Sequence, residues 1–247
     1  PELMEFVVKT VQEAIGDERP ISRDSCNIEA MEAGLAVHKG KAIINSIMVR
    51  PERYEKMIPL AVKYKASMVA LMWGPEGLPR DENERAALAV ELMYAANEAG
   101  VPNEDMFFDG IVTPVNIQQQ QLMSLLAFQE MLQDIAPGAK STCGLSNISN
   151  GPPDNLRPVL NTTYMIMLER KGMYSCIADA YDDTLVTVAR GERPDIVELV
   201  HKVMDGEAVD EKSLPDNPNG EWKLSDYVKT AKVILGQSLY SDSWLEI

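Results

Sequence analysis

One pattern constrains this chain more than any other. A short apolar run, one or two polar residues and an amphipathic helical stretch closed by glycine or a polar turn recur along most of its length. This alternation is the signature of βα units, because two parallel strands need a crossover that lies over the sheet. The first unit joins a strand at residues 21–24 to a helix capped at Ser25 or Asn27, with Ile28, Met31 and Leu35 on one face before Gly40. The second strand begins at residues 42–44. Its helix opens at Pro51 and turns Tyr54, Met57, Ile58 and Ala61 inward. A third strand at 67–72 leads to a helix capped by Asp81 or Asn83, with Ala86, Val90 and Met93 on its buried side and Gly100 and Pro102 at its close.

Further strands are expected at 106–108, 140–144 and 174–178. Helices follow them, marked by Leu122, Leu125, Leu126 and Leu132, by Leu160, Tyr164, Met167 and Leu168, and by Leu185 and Val188. Between about 191 and 224 the rhythm dissolves into an acidic stretch with Pro194, Pro215, Pro218 and Gly220, which reads as an insertion with one helix at 196–204. A helical pattern resumes at 228–239, and the closing Tyr240-Ser-Asp-Ser-Trp244 is too polar for a core strand.

The 247 residues, 45% of them apolar, suffice for one sizeable core, and the chain is read as a single domain over 1–247. A formal charge of -15 repels phosphate backbones and anionic lipid surfaces, which argues against nucleic acid and membrane as partners. No apolar run approaches the roughly 20 residues of a membrane span, and no signal-peptide pattern opens the chain, so a cytoplasmic protein is expected. Cys26, Cys143 and Cys176 are odd in number and lack CxxC spacing, which fits reduced core thiols better than disulfides or zinc. No metal site is expected, and His38 and His201 read as structural or surface residues.

Polar residues recur at or just beyond successive strands: Asp24, Asn45, Asp109, Asn147 and Asp179. Any one of them could simply cap a helix. Five in register point instead to the face of a parallel barrel where the βα loops build a site. Carboxylates only accept, whereas carboxamides donate and accept. That mixture matches a 2-amino-4-oxo-pyrimidine edge, whose adjacent N–H groups suit one carboxylate in a paired contact. The sequence holds no Ser–His–Asp set, no glycine-rich phosphate loop and no His/Cys grouping.

Several of these residues sit in recognisable runs: Arg23-Asp-Ser-Cys-Asn27, Ala42-Ile-Ile-Asn-Ser46, Phe108-Asp109, Lys140-Ser-Thr-Cys-Gly-Leu-Ser-Asn-Ile-Ser149 and Ile177-Ala-Asp-Ala180. Together they resemble methyltetrahydrofolate:corrinoid protein methyltransferases of the pterin-binding family, over about residues 1 to 190 and again at the C-terminal helix and tail. The most specific part is Gly-Leu-Ser-Asn with Lys140 seven residues before Asn147, whereas Asp-Ser-x-Asn alone also suits dihydropteroate synthase. The loop Asn150-Gly-Pro-Pro153 departs from the family pattern.

The resemblance implies a (β/α)8 TIM-type barrel in which Asp24, Asn45 and Asp109 hold the pterin ring of tetrahydrofolate. It puts Asn147 near the methyl-bearing nitrogen, with Ser146 and Asp179 lining the same pocket, and makes Asn147 and Asp109 the residues closest to the chemistry. It further implies a homodimer and a corrinoid (cobalamin) presented by a partner protein, with methyltetrahydrofolate or tetrahydrofolate as substrate. The family barrel has two more βα units before the point matching Pro1, so about 50 further residues are expected upstream. The rival readings are a dihydropteroate synthase-like enzyme and a non-catalytic pterin-binding scaffold. The direction of transfer, the physiological methyl source or acceptor and the role of the acidic insertion stay open.

Overall fold

The computed structural model describes residues 1–215, 217, 220 and 222–246. The chain falls into two compact units, Pro1–Ile111 with Met131–Thr142, and Val112–Glu130 with the residues from Cys143 onward.

The first unit holds a five-stranded sheet of β1 (Ser22–Asp24), β2 (Ile43–Met48), β3 (Ser67–Leu71), β4 (Met106–Asp109) and β5 (Lys140–Ser141), in that spatial order and parallel throughout. Strictly sequential order separates this α/β arrangement from a doubly wound sheet, whose strand order reverses. It is the order of a (β/α)8 barrel, of which five strands are described. The helices of this unit are α1 (Glu2–Ile15), α2 (Ile28–Val37), α3 (Pro51–Tyr64) and α4 (Glu82–Ala99). Ile44, Ile47, Met68, Ala70 and Phe108 from the strands and Met57 and Leu92 from the helices are wholly buried. Strands covered on both faces need such near-continuous apolar runs.

Local signals explain the helix starts. Asn27 caps α2 by accepting from the Ala30 N–H at 2.8 Å, Pro51 opens α3, and Asp81 caps α4 by accepting from the Glu84 N–H at 2.9 Å. The buried face of α4 differs from expectation. Arg85, Ala89, Leu92 and Ala96 point inward, while Val90 is exposed and Ala86 and Met93 are half-buried. The cause is Arg85: it is fully buried, and its Nε donates to the Gly110 carbonyl at 2.8 Å, so an arginine anchors a buried face different from the one that Ala86, Val90 and Met93 marked.

In the second unit α6 (Arg157–Arg170) is buried almost all round, including the polar Asn161, Thr162 and Thr163. It packs against α7 (Asp183–Ala189), α8 (Pro194–Met204), α9 (Leu224–Ile234) and the 3-10 turn Leu145–Ser149. A helix buried on every side fits the centre of a layer. The stretch beginning near 191 contains α8, whose Ile196, Leu199, Val200 and Val203 are buried; Pro218, in the same stretch, lies outside the described residues. The remaining helix, α5 (Val115–Ile135), has residues in both units.

Three further expectations are corrected. No strand forms at 174–178, where Ile177 makes only a single parallel bridge to Gly144; Tyr174 and Ile177 are exposed, so burial does not reward a longer ladder. The pattern expected over 228–239 becomes α9, which starts earlier and stops at Ile234. Trp244 is buried with its Nε1 donating to Thr230 Oγ1 at 3.0 Å, although its neighbours are polar. Of the cysteines only Cys143 is a buried core thiol; Cys176 is half-buried and Cys26 exposed. Among the described residues no helix is long and apolar enough to cross a membrane.

Candidate functional site

In the first unit the β1–β2 ladder ends with Asp24 directly opposite Asn45. β2 itself continues to Met48, so Asn45 lies inside its strand rather than at its end. Its ladder to β3 breaks between Ile44 and Ile47, flanking Asn45. Asp24 is exposed and Asn45 half-buried, and among the described residues neither side chain has a hydrogen-bond partner. Both are therefore open to a ligand.

Asp109 closes β4, opposite Leu71. Its Oδ1 accepts from the Ile111 N–H at 2.8 Å, and its other carboxylate oxygen has no protein donor among the described residues. Burial pushes the carboxyl up to about 6, against the opposing effect of the Ile111 bond. A carboxylate that ionises so close to neutrality is a recurrent property of functional sites. The backbone beside it is held by Arg85 on the Gly110 carbonyl and by the Met72 N–H on the Asp109 carbonyl at 2.9 Å.

Sequence reasoning missed two arginines here. One is Arg85. The other is Arg53, in the first turn of α3, whose guanidinium donates to the carbonyls of Cys26 at 3.0 Å, Ser25 at 2.8 Å and Ser46 at 3.3 Å. Its only visible signal was a cation one turn into a helix, where the N-terminal end of the dipole disfavours positive charge.

In the second unit Ser146 and Asn147 lie on the 3-10 turn Leu145–Ser149. The Ser149 hydroxyl lies within hydrogen-bond distance of the Ser146 carbonyl, at 3.1 Å, and of Asn161 Oδ1, at 2.9 Å. Arg157 also donates to the Ser149 carbonyl at 3.2 Å. Asn147 is exposed, with a side-chain amide that has no partner among the described residues. Its Nδ2 lies against Gly144, where a Cβ would meet it at 3.1 Å.

Asp179 is exposed and accepts from the Tyr181 N–H at 2.9 Å. Ser146 and Asp179 line one cavity of about 400 Å³ together with Arg157, Asn161, Asp182 and Asp183 among others; Asn147 is not part of its wall. Asp182 caps α7 through the Leu185 N–H at 3.0 Å, so part of this acidity is structural. His38 ends α2, and burial, then the charge of Arg23, holds it below its ordinary value; His201 lies on α8.

A strictly sequential parallel sheet with helices between its strands defines a TIM-type α/β fold. The chain belongs to the pterin binding enzyme family, whose model matches residues 2–178. It is 24% identical over 180 residues to a methylcorrinoid:tetrahydrofolate methyltransferase of Eubacterium limosum, covering 72% of this chain and 65% of the relative. It is 28% identical over 172 residues to a methionine synthase of Mycobacterium leprae (strain TN), covering 65% of this chain and 14% of that much longer protein. The chain therefore spans less than two thirds of either curated relative.

Solved structures of similar fold include a dihydropteroate synthase of Thermus thermophilus in complex with 6HMPPP, with a TM-score of 0.57, 18% identity and coverage of 75% of this chain and 73% of that one. Another is the Xanthomonas albilineans dihydropteroate synthase, with a TM-score of 0.56, 18% identity and coverage of 78% and 70%. At this identity they establish the fold.

Proposed function

We propose that this pterin-binding enzyme binds a reduced folate and moves a methyl group between its N5 and the cobalt of a corrinoid carried by a partner protein. The observation that carries the reading is the set Asp24, Asn45 and Asp109. It comprises two carboxylates and one carboxamide on parallel strands, each with at least one polar atom free of protein partners among the described residues. Strands about 4.8 Å apart put β2 and β4 about 10 Å from each other, a span that a fused two-ring heterocycle bridges with hydrogen bonds at both edges. Asp24 or Asp109 then accepts the paired N–H donors of the 2-amino-4-oxo edge, and Asn45 meets a ring nitrogen or carbonyl.

The corrinoid supplies a low-valent, strongly nucleophilic cobalt. When the methyl group leaves N5, the electron pair of the broken bond stays on nitrogen, which is a poor leaving group unless protonated. The protein contributes orientation and a hydrogen-bond network that favours the protonated nitrogen, both acting on the transition state more than on the ground state. Asn147, whose unpartnered amide can turn between donor and acceptor, is assigned to that nitrogen on the family resemblance. It cannot be the acid itself. Asp109, ionising at about 6, can relay a proton from solvent.

The name of the Eubacterium limosum relative supports the corrinoid chemistry over dihydropteroate synthesis. Calorimetry with tetrahydrofolate tests the binding half, and single-turnover methyl transfer to a reduced corrinoid protein tests the chemical half. Binding without transfer would leave a pterin-binding scaffold, and absence of binding would remove the reading altogether.

A further inference from the structure

Arg53 makes an unusual set of contacts. Its guanidinium touches no carboxylate among the described residues and spends its hydrogen bonds on three main-chain carbonyls, those of Ser25, Cys26 and Ser46. Ser25 and Cys26 follow Asp24 directly, and Ser46 follows Asn45. The three acceptors thus belong to the two segments that leave the last rung of the β1–β2 ladder. A planar fork of five donors can hold several carbonyls in a fixed mutual arrangement, which an ammonium point charge cannot reproduce.

Among the described residues no main-chain hydrogen bond joins the segment 25–26 to Ser46, so the guanidinium is the bridge between them. The clamp is supplied by α3, which packs on β2 and buries Met57, Ile58 and Ala61. Its rigidity therefore comes from the core of the unit.

We propose that Arg53 is a positioning residue for ligand binding. By tying the segment after Asp24 to the segment after Asn45, it fixes the separation and aim of the carboxylate and carboxamide that grip the pterin edge. This rests on the folate reading of that pair. Arg53 is placed in contact with carbonyls only, not with the ligand.

The test uses the protein as it exists, with tetrahydrofolate as probe, by calorimetry alongside thermal melting. Arg53→Ala should raise the dissociation constant roughly tenfold to a hundredfold, the usual consequence of losing charge-assisted hydrogen bonds that hold a site together. Millimolar guanidinium chloride should restore part of the lost affinity in Arg53→Ala and none in Arg170→Ala, a control that removes a surface pair with Asp205. Arg53→Lys should fall between, and it decides the matter if Arg53→Ala does not fold.

Wild-type-like affinity in both Arg53 variants overturns the proposal while leaving the folate reading intact. So does a loss of affinity that merely tracks a lower melting temperature and ignores guanidinium. Failure of the wild type to bind tetrahydrofolate overturns the folate reading first, and this inference with it.

Discussion

Arg85, fully buried in α4, donates from Nε to the carbonyl of Gly110 at 2.8 Å, one residue beyond Asp109. The contact joins a helix to the loop that follows β4 and fixes the backbone from which Asp109 projects. Arg85→Ala removes the donor and opens a void in the core. We expect a loss of roughly 2–4 kcal/mol in unfolding free energy, read from the urea midpoint, together with weaker tetrahydrofolate binding. An unchanged midpoint would show that the bond is dispensable.

Asp24 and Asn45 differ in what their removal does to a ligand. Asp24→Asn replaces an acceptor pair with a group that presents a donor to ligand donors, whereas Asn45→Ala only deletes a partner. The first should weaken tetrahydrofolate binding more, with the dissociation constant rising roughly tenfold to several hundredfold. Unaltered affinity in Asp24→Asn, measured by calorimetry, removes Asp24 from the contact set.

Asp109 gives a pH signature. Its folded pKa, about 6, lies above the ordinary 3.8, so its burial is tolerated best when it is protonated. Its favourable contribution is complete below about pH 4 and is lost as pH rises through about 6. Asp109→Asn should therefore raise the melting temperature at pH 8 and change it little at pH 4, corresponding to about 3 kcal/mol at the higher pH. The wild type should also lose folate affinity as pH falls through about 6, because the protonated group cannot accept a pair of donors. A flat difference between the two proteins from pH 4 to pH 8 would contradict the burial argument.

Gly144 tests the position of Asn147 without touching it. The glycine has φ -81° and ψ 85°, a conformation open to alanine, so Gly144→Ala should fold. Its new Cβ would press on Asn147 Nδ2 at 3.1 Å and shift the amide. Methyl transfer should slow about tenfold or more with little change in melting temperature. Full activity would show that the amide's place does not matter.

The strand–helix alternation and most caps were legible because they depend on neighbouring residues: Asn27, Pro51 and Asp81 each act within one helical turn. Asp24 and Asp109 could be picked out because polar groups ending apolar strands break a simple pattern. What was hidden depends on distant partners. Arg85 looks like a surface cation until Gly110, 25 residues away, is brought to it. Arg53 reaches carbonyls, which every residue possesses and no sequence pattern can flag. The run at 174–178 is apolar enough for a strand but has only one bridge to Gly144. The role of Asn147 came from the Gly-Leu-Ser-Asn motif rather than from its surroundings.

The most direct measurement is single-turnover methyl transfer from methyltetrahydrofolate to a saturating reduced corrinoid protein, with wild type and Asn147→Ala compared and tetrahydrofolate affinity titrated in parallel. We expect transfer by the wild type and a rate constant lowered by about 10²–10³ in the variant, with affinity much less affected, because only interactions that strengthen in the transition state accelerate the step. A wild type that binds the folate but leaves the corrinoid unmethylated would contradict the account.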